Sequence, residues 1–227
     1  MSETAPTRKS DLGVRTLSAI VMLAVAAAAL WLGGVWLDGF IIIVAVACFA
    51  EFARLVLKAA SGAPARLAGI LAGAAYIGLA ARILLGFDTG ELLLVLGIVV
   101  ATDIGAFFAG RTFGGPRIAP RISPSKTWAG LLGGMAPSAV WAAGAIHVLA
   151  SLANSANPAS HVLPFAIGGA MLAIVAQAGD FFESWLKRRA GVKDSSNLIP
   201  GHGGVFDRVD GLLAVALVAG LIMTFAP

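Results

Sequence analysis

The sequence predicts an all-α, polytopic transmembrane helix bundle of about seven spans with its N-terminus on the cytoplasmic side. Three observations carry that prediction: composition, the length of the apolar stretches, and the placement of basic residues. Of the 227 residues 59% are apolar and 12% charged, against about 45–50% and 25% in ordinary soluble domains. A lipid bilayer is the only sink large enough for that excess. The 28 glycines suit helices that must approach closely in lipid, where no hydrophobic drive brings them together.

A spanning helix needs about 20 mostly apolar residues, and such stretches fall at 13–32, 35–57, 67–87, 91–110, 128–150, 162–184 and 206–226. Basic residues favour the cytoplasmic side of short loops, so each stretch can be checked in turn. The first leaves from Arg8, Lys9 and Arg15; the second returns from Asp38 to Arg54 and Lys58. The third leaves at Arg66 and the fourth returns from Asp88 and Glu91 to Arg111. The fifth follows Arg117, Arg121 and Lys126 and ends in segment 151–161, which carries no charge apart from His161. The sixth comes back to Lys187-Arg188-Arg189, and the seventh leaves again at Arg208. In this scheme 15 of the 16 basic residues are inside and only Arg82 falls near the outer face. A wrong helix count would scramble the alternation.

The first stretch has no convincing small-residue cleavage site and six more follow it, so it reads as retained rather than as a secretory signal. Residues 1–227 then form a single integral membrane domain. Cys48, the one cysteine, lies in an apolar run and reads as a buried structural thiol. The net charge of +4 does not indicate nucleic acid, because the basic residues sit at membrane boundaries and not on one soluble face. Glu51 and Arg54, spaced i,i+3, read as a local pair near the inner boundary.

Chemistry is concentrated in segment 180–210. Ten of the chain's 16 basic and 12 acidic residues fall in those 31 positions. Asp207 and Asp210 are three apart at the start of the last stretch, which puts both carboxylates on one helical face. A helix N-terminus accommodates one negative charge, but two on one face repel unless a cation lies between them. Carboxylates with water and phosphate oxygens are the usual ligands of Mg²⁺. Asp180, near the inner end of the preceding stretch, is at the right depth to join them, so Asp180, Asp207 and Asp210 are the candidate metal ligands. Between them, Gly201-His202-Gly203-Gly204 precedes the helix; such a run lets backbone N–H groups approach an anion. With Lys193 nearby, the segment reads as an anion site bridged by a metal, the arrangement nucleotidyl transfer requires.

The other long inner segment holds Arg111, Gly114-Gly115, Arg117, Arg121 and Ser123-Pro124-Ser125-Lys126-Thr127. Its basic and hydroxyl side chains suit either phosphate binding or contact with lipid headgroups. Asp103 lies eight residues before Arg111, about 12 Å inside the boundary at the helical rise, and an acid at that depth is a functional candidate.

These residues carry a family resemblance. Ser184-Trp185-Leu186-Lys187-Arg188, a four-residue gap, and Lys193-Asp194-Ser195-Ser196-Asn197-Leu198-Ile199-Pro200-Gly201-His202-Gly203-Gly204-Val205-Phe206-Asp207-Arg208-Val209-Asp210 resemble the signature of phosphatidate cytidylyltransferases, the CDP-diacylglycerol synthases. Similarity extends to Asp103–Phe108 with Gly110-Arg111, to Ile122–Gly130, to Gly179-Asp180 and to the opening Arg15–Ser18. Two departures stand out. Ala129 follows Trp128 where relatives carry an acid, and the chain is shortened around residues 60–90, away from the signature.

The resemblance implies a metal-dependent nucleotidyltransferase that joins CTP to phosphatidic acid, yielding CDP-diacylglycerol and pyrophosphate in phospholipid biosynthesis. It implies catalytic roles for Asp180, Lys193, His202, Asp207 and Asp210. Substrate-binding roles follow for Asp103, Arg111, Ser123, Ser125, Lys126, Thr127, Ser184, Lys187, Arg188, Gly203, Gly204 and Arg208. Mg²⁺ is the implied cofactor, with room for a second cation. His202 either donates to the leaving pyrophosphate or fixes the glycine loop. A homodimer is compatible with the family, and the chain, read without a targeting segment, looks like a bacterial inner-membrane protein with its active site facing the cytoplasm.

Two other classes fit less well. The Asp207, Asp210 and Gly211 run resembles the acidic motif of CDP-alcohol phosphatidyltransferases, but that motif continues with Ala-Arg and further aspartates. Here it meets Leu212-Leu213 and no later acid. An ion-coupled transporter would use Asp103 and Asp180 as coupling sites, yet the sequence has no repeated halves.

Overall fold

In a computed structural model, residues 8–153 and 157–225 are described, with only the backbone of 8–11, 158 and 225. The side chains of Arg8 and Lys9, which enter the charge count above, therefore lie outside the described residues. Seven helices run in chain order: α1 (Arg8–Leu32), α2 (Gly34–Ala59), α3 (Ala63–Leu84), α4 (Thr89–Phe113), α5 (Trp128–Leu152), α6 (Val162–Arg189) and α7 (Phe206–Phe225). Each expected apolar stretch has become one helix. Segment 111–127, expected to be a loop, instead contains a small antiparallel hairpin, β1 (Arg117–Ala119) and β2 (Ser123–Thr127), pairing Arg117 with Thr127 and Ala119 with Ser123. Alternation over so few residues, with Pro116, Pro120 and Pro124 among them, leaves little strand signal.

Local chemistry fixes the helix ends. Asp88 accepts from Glu91 N at 2.8 Å while Glu91 Oε2 accepts from Asp88 N at 2.9 Å, a reciprocal capping box that starts α4. The Thr127 hydroxyl accepts from Gly130 N at 3.1 Å and starts α5.

Among the described residues, six helices, α1 to α6, are long and apolar enough to cross a membrane. The seventh expected stretch is helical too, as α7. α7 opens with Asp207, Arg208 and Asp210 and stands inside the bundle, where Val215 and Ala216 are fully buried. One face of α7 contributes Leu213 and Ala216 to a core with Cys48, Phe52, Leu55 and Ile77. Its other face contributes Val215 and Ala219 to a core with Val95, Ile98, Ala142 and Leu172. Cys48 is buried and free, as its apolar surroundings predicted. The outside is apolar too: Trp31, Trp36, Ile43, Val46, Leu132, Val140 and Leu163 are all exposed, a coat that only lipid can cover. The chain is an integral membrane protein.

Long-range contacts gather at one end. Ser18 Oγ in α1 donates to Pro200 O at 2.8 Å, Glu51 in α2 meets Ser195 at 2.8 Å, and Arg188 Nε in α6 donates to Ile122 O in the hairpin at 3.3 Å. Helix alternation therefore places the start of α1, the end of α2, the hairpin and segment 190–205 on a single face.

Candidate active site

The crossing of α6 over α7 builds the first half of the site. Gly179 permits it, since a Cβ there would stand 2.5 Å from the carbonyl oxygen of Asp210. This approach sets the Asp180 carboxylate against the Asp210–Gly211 step of α7, where a Cβ on Gly211 would lie 3.3 Å from Asp180 Oδ1. Lys126 reaches across from β2 and ion-pairs with Asp180, its ammonium also 5.4 Å from the centre of the Phe181 ring. Gly179→Ala should force the helices apart and cost about 1–3 kcal/mol of stability. A thermal midpoint in detergent no lower than that of the unaltered protein would contradict so tight a crossing.

Lys126 and Asp180 form one wall of an open cavity of about 370 Å³ whose other lining includes Asp103, Arg111, Ser125, Thr127 and Gln177. Five residues expected to bind substrate, from α4 and β2, thus share one cleft with Asp180 of α6. Gln177 was not anticipated. It is 5% exposed and sits one turn before Asp180, so a polar residue inside an apolar stretch was the available signal.

The second half of the site lies around Asp207. Lys187 Nζ is 2.6 Å from Asp207 Oδ1 and 2.6 Å from Glu183 Oε2. Asp207 Oδ2 accepts from Gly204 N at 2.8 Å, from Ser195 N at 2.9 Å and from the Ser195 hydroxyl at 2.9 Å. Three of the candidates meet protein partners here. Asp207 is held by protein donors on both oxygens, and among the described residues no group of three or more His, Cys, Asp or Glu is arranged to hold a metal ion. Lys187, expected on a phosphate, is instead clamped between two carboxylates. Gly203 and Gly204 wrap Asp207: a Cβ on Gly203, whose φ is +82°, would lie 2.7 Å from Asp207 Oδ2.

Glu51 departs furthest from its expected role. It does not pair with Arg54, which is exposed. It is 2% exposed and accepts from the Ser195 and Ser196 hydroxyls and from Val205 N and Phe206 N at 2.6–3.1 Å. All four donors lie more than 140 residues away, so no local spacing reveals them.

The remaining candidates surround these two clusters. Ser123 is buried, Ser184 half-buried and Lys193 exposed. Arg188 anchors the hairpin, and Arg208 Nη2 donates to the carbonyl of His202 at 2.9 Å. His202 Nδ1 is buried without a hydrogen-bond partner. Gly201 lies against Arg15, whose Cγ would be 2.6 Å from an added Cβ, so the opening of α1 is packed on the signature segment. Two ion-paired lysines stand among the acids of the site, Lys126 against Asp180 and Lys187 between Glu183 and Asp207.

Residues 85–226 match the model of the Cytidylyltransferase family. The chain is 47% identical over 131 residues to the phosphatidate cytidylyltransferase of Brucella suis, a match covering 58% of this chain and 45% of that protein. With the phosphatidate cytidylyltransferase of Pseudomonas aeruginosa it shares 41% over 134 residues, 59% of this chain and 47% of the other. In both cases the chain spans about half the length of the curated relative. A third, the phosphatidate cytidylyltransferase of Rickettsia bellii, is 34% identical over 215 residues, 92% of this chain and 89% of its own length. The match thus takes in the cleft, both carboxylate clusters and the α6–α7 crossing, and the chain belongs to the cytidylyltransferase family.

Proposed function

We propose that this protein transfers CMP from CTP to phosphatidic acid, giving CDP-diacylglycerol and pyrophosphate. One observation carries the reading: an open cleft at the basic end of an apolar bundle places Lys126 and Arg111 beside paired carboxylates, where a water-soluble triphosphate can meet a lipid headgroup. The names of the three relatives above point the same way. In the reaction a phosphate oxygen of the lipid forms a bond to the α-phosphorus of CTP as the bond to the pyrophosphate oxygen breaks. A lipid phosphate is already ionised at neutral pH, so no strong general base is needed. Catalysis then rests on positioning and on neutralising charge.

The donor set fits a hard divalent cation. Asp180 and Asp210 stand side by side where α6 crosses α7, so a cation between them would offset both charges, and Lys126 ion-pairs with Asp180. Mg²⁺ is commonly held by one or two carboxylates with phosphate oxygens and water completing its shell, and when bound it would neutralise charge on the triphosphate. In this reading Asp180 and Asp210 hold the metal and Asp207 fixes the start of α7. Lys126, Arg111 and Lys193 hold phosphates, and Ser125 and Thr127 line their path. His202, with its unpartnered Nδ1, faces the glycine loop. The cleft opens to the cytoplasm, as the distribution of basic residues indicates, in a bacterial inner membrane. Assembly as a homodimer and a second cation are carried over from the resemblance alone.

Purified protein in detergent, given labelled CTP, phosphatidic acid and Mg²⁺, should release pyrophosphate only when both substrates are present. Release without lipid, or none with both, would refute the assignment.

A further inference from the structure

We infer that Glu51 is a positioning residue for the transfer reaction: from α2 it clasps both ends of segment 195–206 and thereby sets the register in which α7 presents Asp210 to Asp180. This rests on the reading of the cleft as a cytidylyltransferase site. A carboxylate buried in a membrane helix is costly unless its oxygens are satisfied, and here each oxygen lies within hydrogen-bond reach of two donors, the Ser195 hydroxyl dividing its one proton between Glu51 and Asp207. Oε1 accepts from the Ser196 hydroxyl at 2.6 Å and Val205 N at 3.1 Å; Oε2 accepts from the Ser195 hydroxyl at 2.8 Å and Phe206 N at 2.8 Å. Each oxygen thus takes one donor from the beginning of the segment and one from its end. The two backbone donors sit at the N-terminus of α7, where helical N–H groups lack intrahelical partners and the dipole favours a negative charge.

The packing admits nothing else at this point. A Cβ on Gly204 would lie 2.4 Å from Glu51 Oε2 and 2.0 Å from Ser195 Oγ. The Ser195 hydroxyl also stands 2.9 Å from Asp207 Oδ2, so Glu51 and Asp207 grip the same residue from two helices. Glu51 itself does not line the cleft and acts only through α7. Phe206, whose N–H it holds, is fully buried and lies just over one helical turn before Asp210.

Glu51→Gln tests the clasp, because it keeps the shape but turns an amide NH₂ toward donors. Loss of a supporting hydrogen-bond partner typically costs 10–100-fold, so kcat should fall by about that factor while KM for CTP stays within about twofold. The Mg²⁺ concentration for half-maximal rate should rise, and amide hydrogen exchange in 195–206 should quicken while that in α4 and α5 does not. Unchanged exchange in 195–206, or an unchanged kcat, would overturn the assignment. Should Glu51→Gln not fold, Ser196→Ala removes a single donor and should move kcat and exchange the same way by less; no movement in either is equally fatal. Arg54→Ala, one turn along the same helix, should leave both unchanged, and an equal loss there also overturns it. If the unaltered protein transfers no CMP, the functional reading fails while the exchange measurement still decides the clasp.

Discussion

Lys126→Met should lower the proposed CMP transfer by about 10²–10³-fold at saturating CTP, the usual loss when one fixed charge or donor is taken from a transition state that carries developing negative charge. The size follows from position. Lys126 is the one ammonium ion-paired to Asp180, and it stands on the wall of the cleft beside Ser125 and Thr127. Removing it withdraws a positive charge from the place where pyrophosphate must leave and leaves Asp180 and Asp210 facing each other without compensation. Steady-state kinetics on the purified variant checks the prediction. A kcat within a few-fold of the unaltered enzyme would place the reacting phosphates elsewhere.

Asp207→Asn and Asp210→Asn should both abolish transfer, but separate in stability. Asp207 belongs to a buried ion pair with Lys187 and accepts from Ser195 N and Gly204 N, with the Ser195 hydroxyl shared between it and Glu51. Breaking a buried pair by removing one partner costs about 3–5 kcal/mol, so Asp207→Asn should melt well below the unaltered protein. Asp210 has no lysine partner among the described residues; its Oδ1 accepts from Gly211 N at 2.9 Å, and Asp180 stands beside it on α6. Neutralising it lifts a repulsion, and its thermal midpoint should hold or rise while activity is lost. Paired thermal denaturation and activity assays in one detergent read both effects. Equal destabilisation by the two substitutions would mean that Asp207 and Asp210 share one role.

The contrast shows which features of the site can be read from sequence. Helix number and order are legible because crossing a bilayer demands about 20 apolar residues each time, and every such stretch became a helix. Asp180, Lys126, Asp103 and Arg111 could be nominated because charges at the edge of apolar stretches have few bland explanations. The internal partners of those charges could not. Asp207 and Asp210 look alike at i,i+3, yet Asp207 is enclosed by Ser195, Gly204 and Lys187, contacts set by how segment 190–205 folds back. Gly203 and Gly204 were read as a surface for phosphate, whereas in the structure they make room for carboxylates. Glu51 and Arg54 show the same limit: a neighbour on the helix was the only partner visible in sequence, while the actual partners lie far along the chain. Local periodicity records the environment of a whole helix, but not which distant backbone amide a given oxygen will meet.

The central claim is that a divalent cation sits between Asp180 and Asp210 when CTP is bound. Electron paramagnetic resonance of Mn²⁺ titrated into the purified protein with CTP measures this directly. The account predicts protein-bound Mn²⁺ that is lost in both Asp180→Asn and Asp210→Asn and retained in the folded Arg54→Ala control. Undiminished Mn²⁺ binding in both aspartate variants would contradict it.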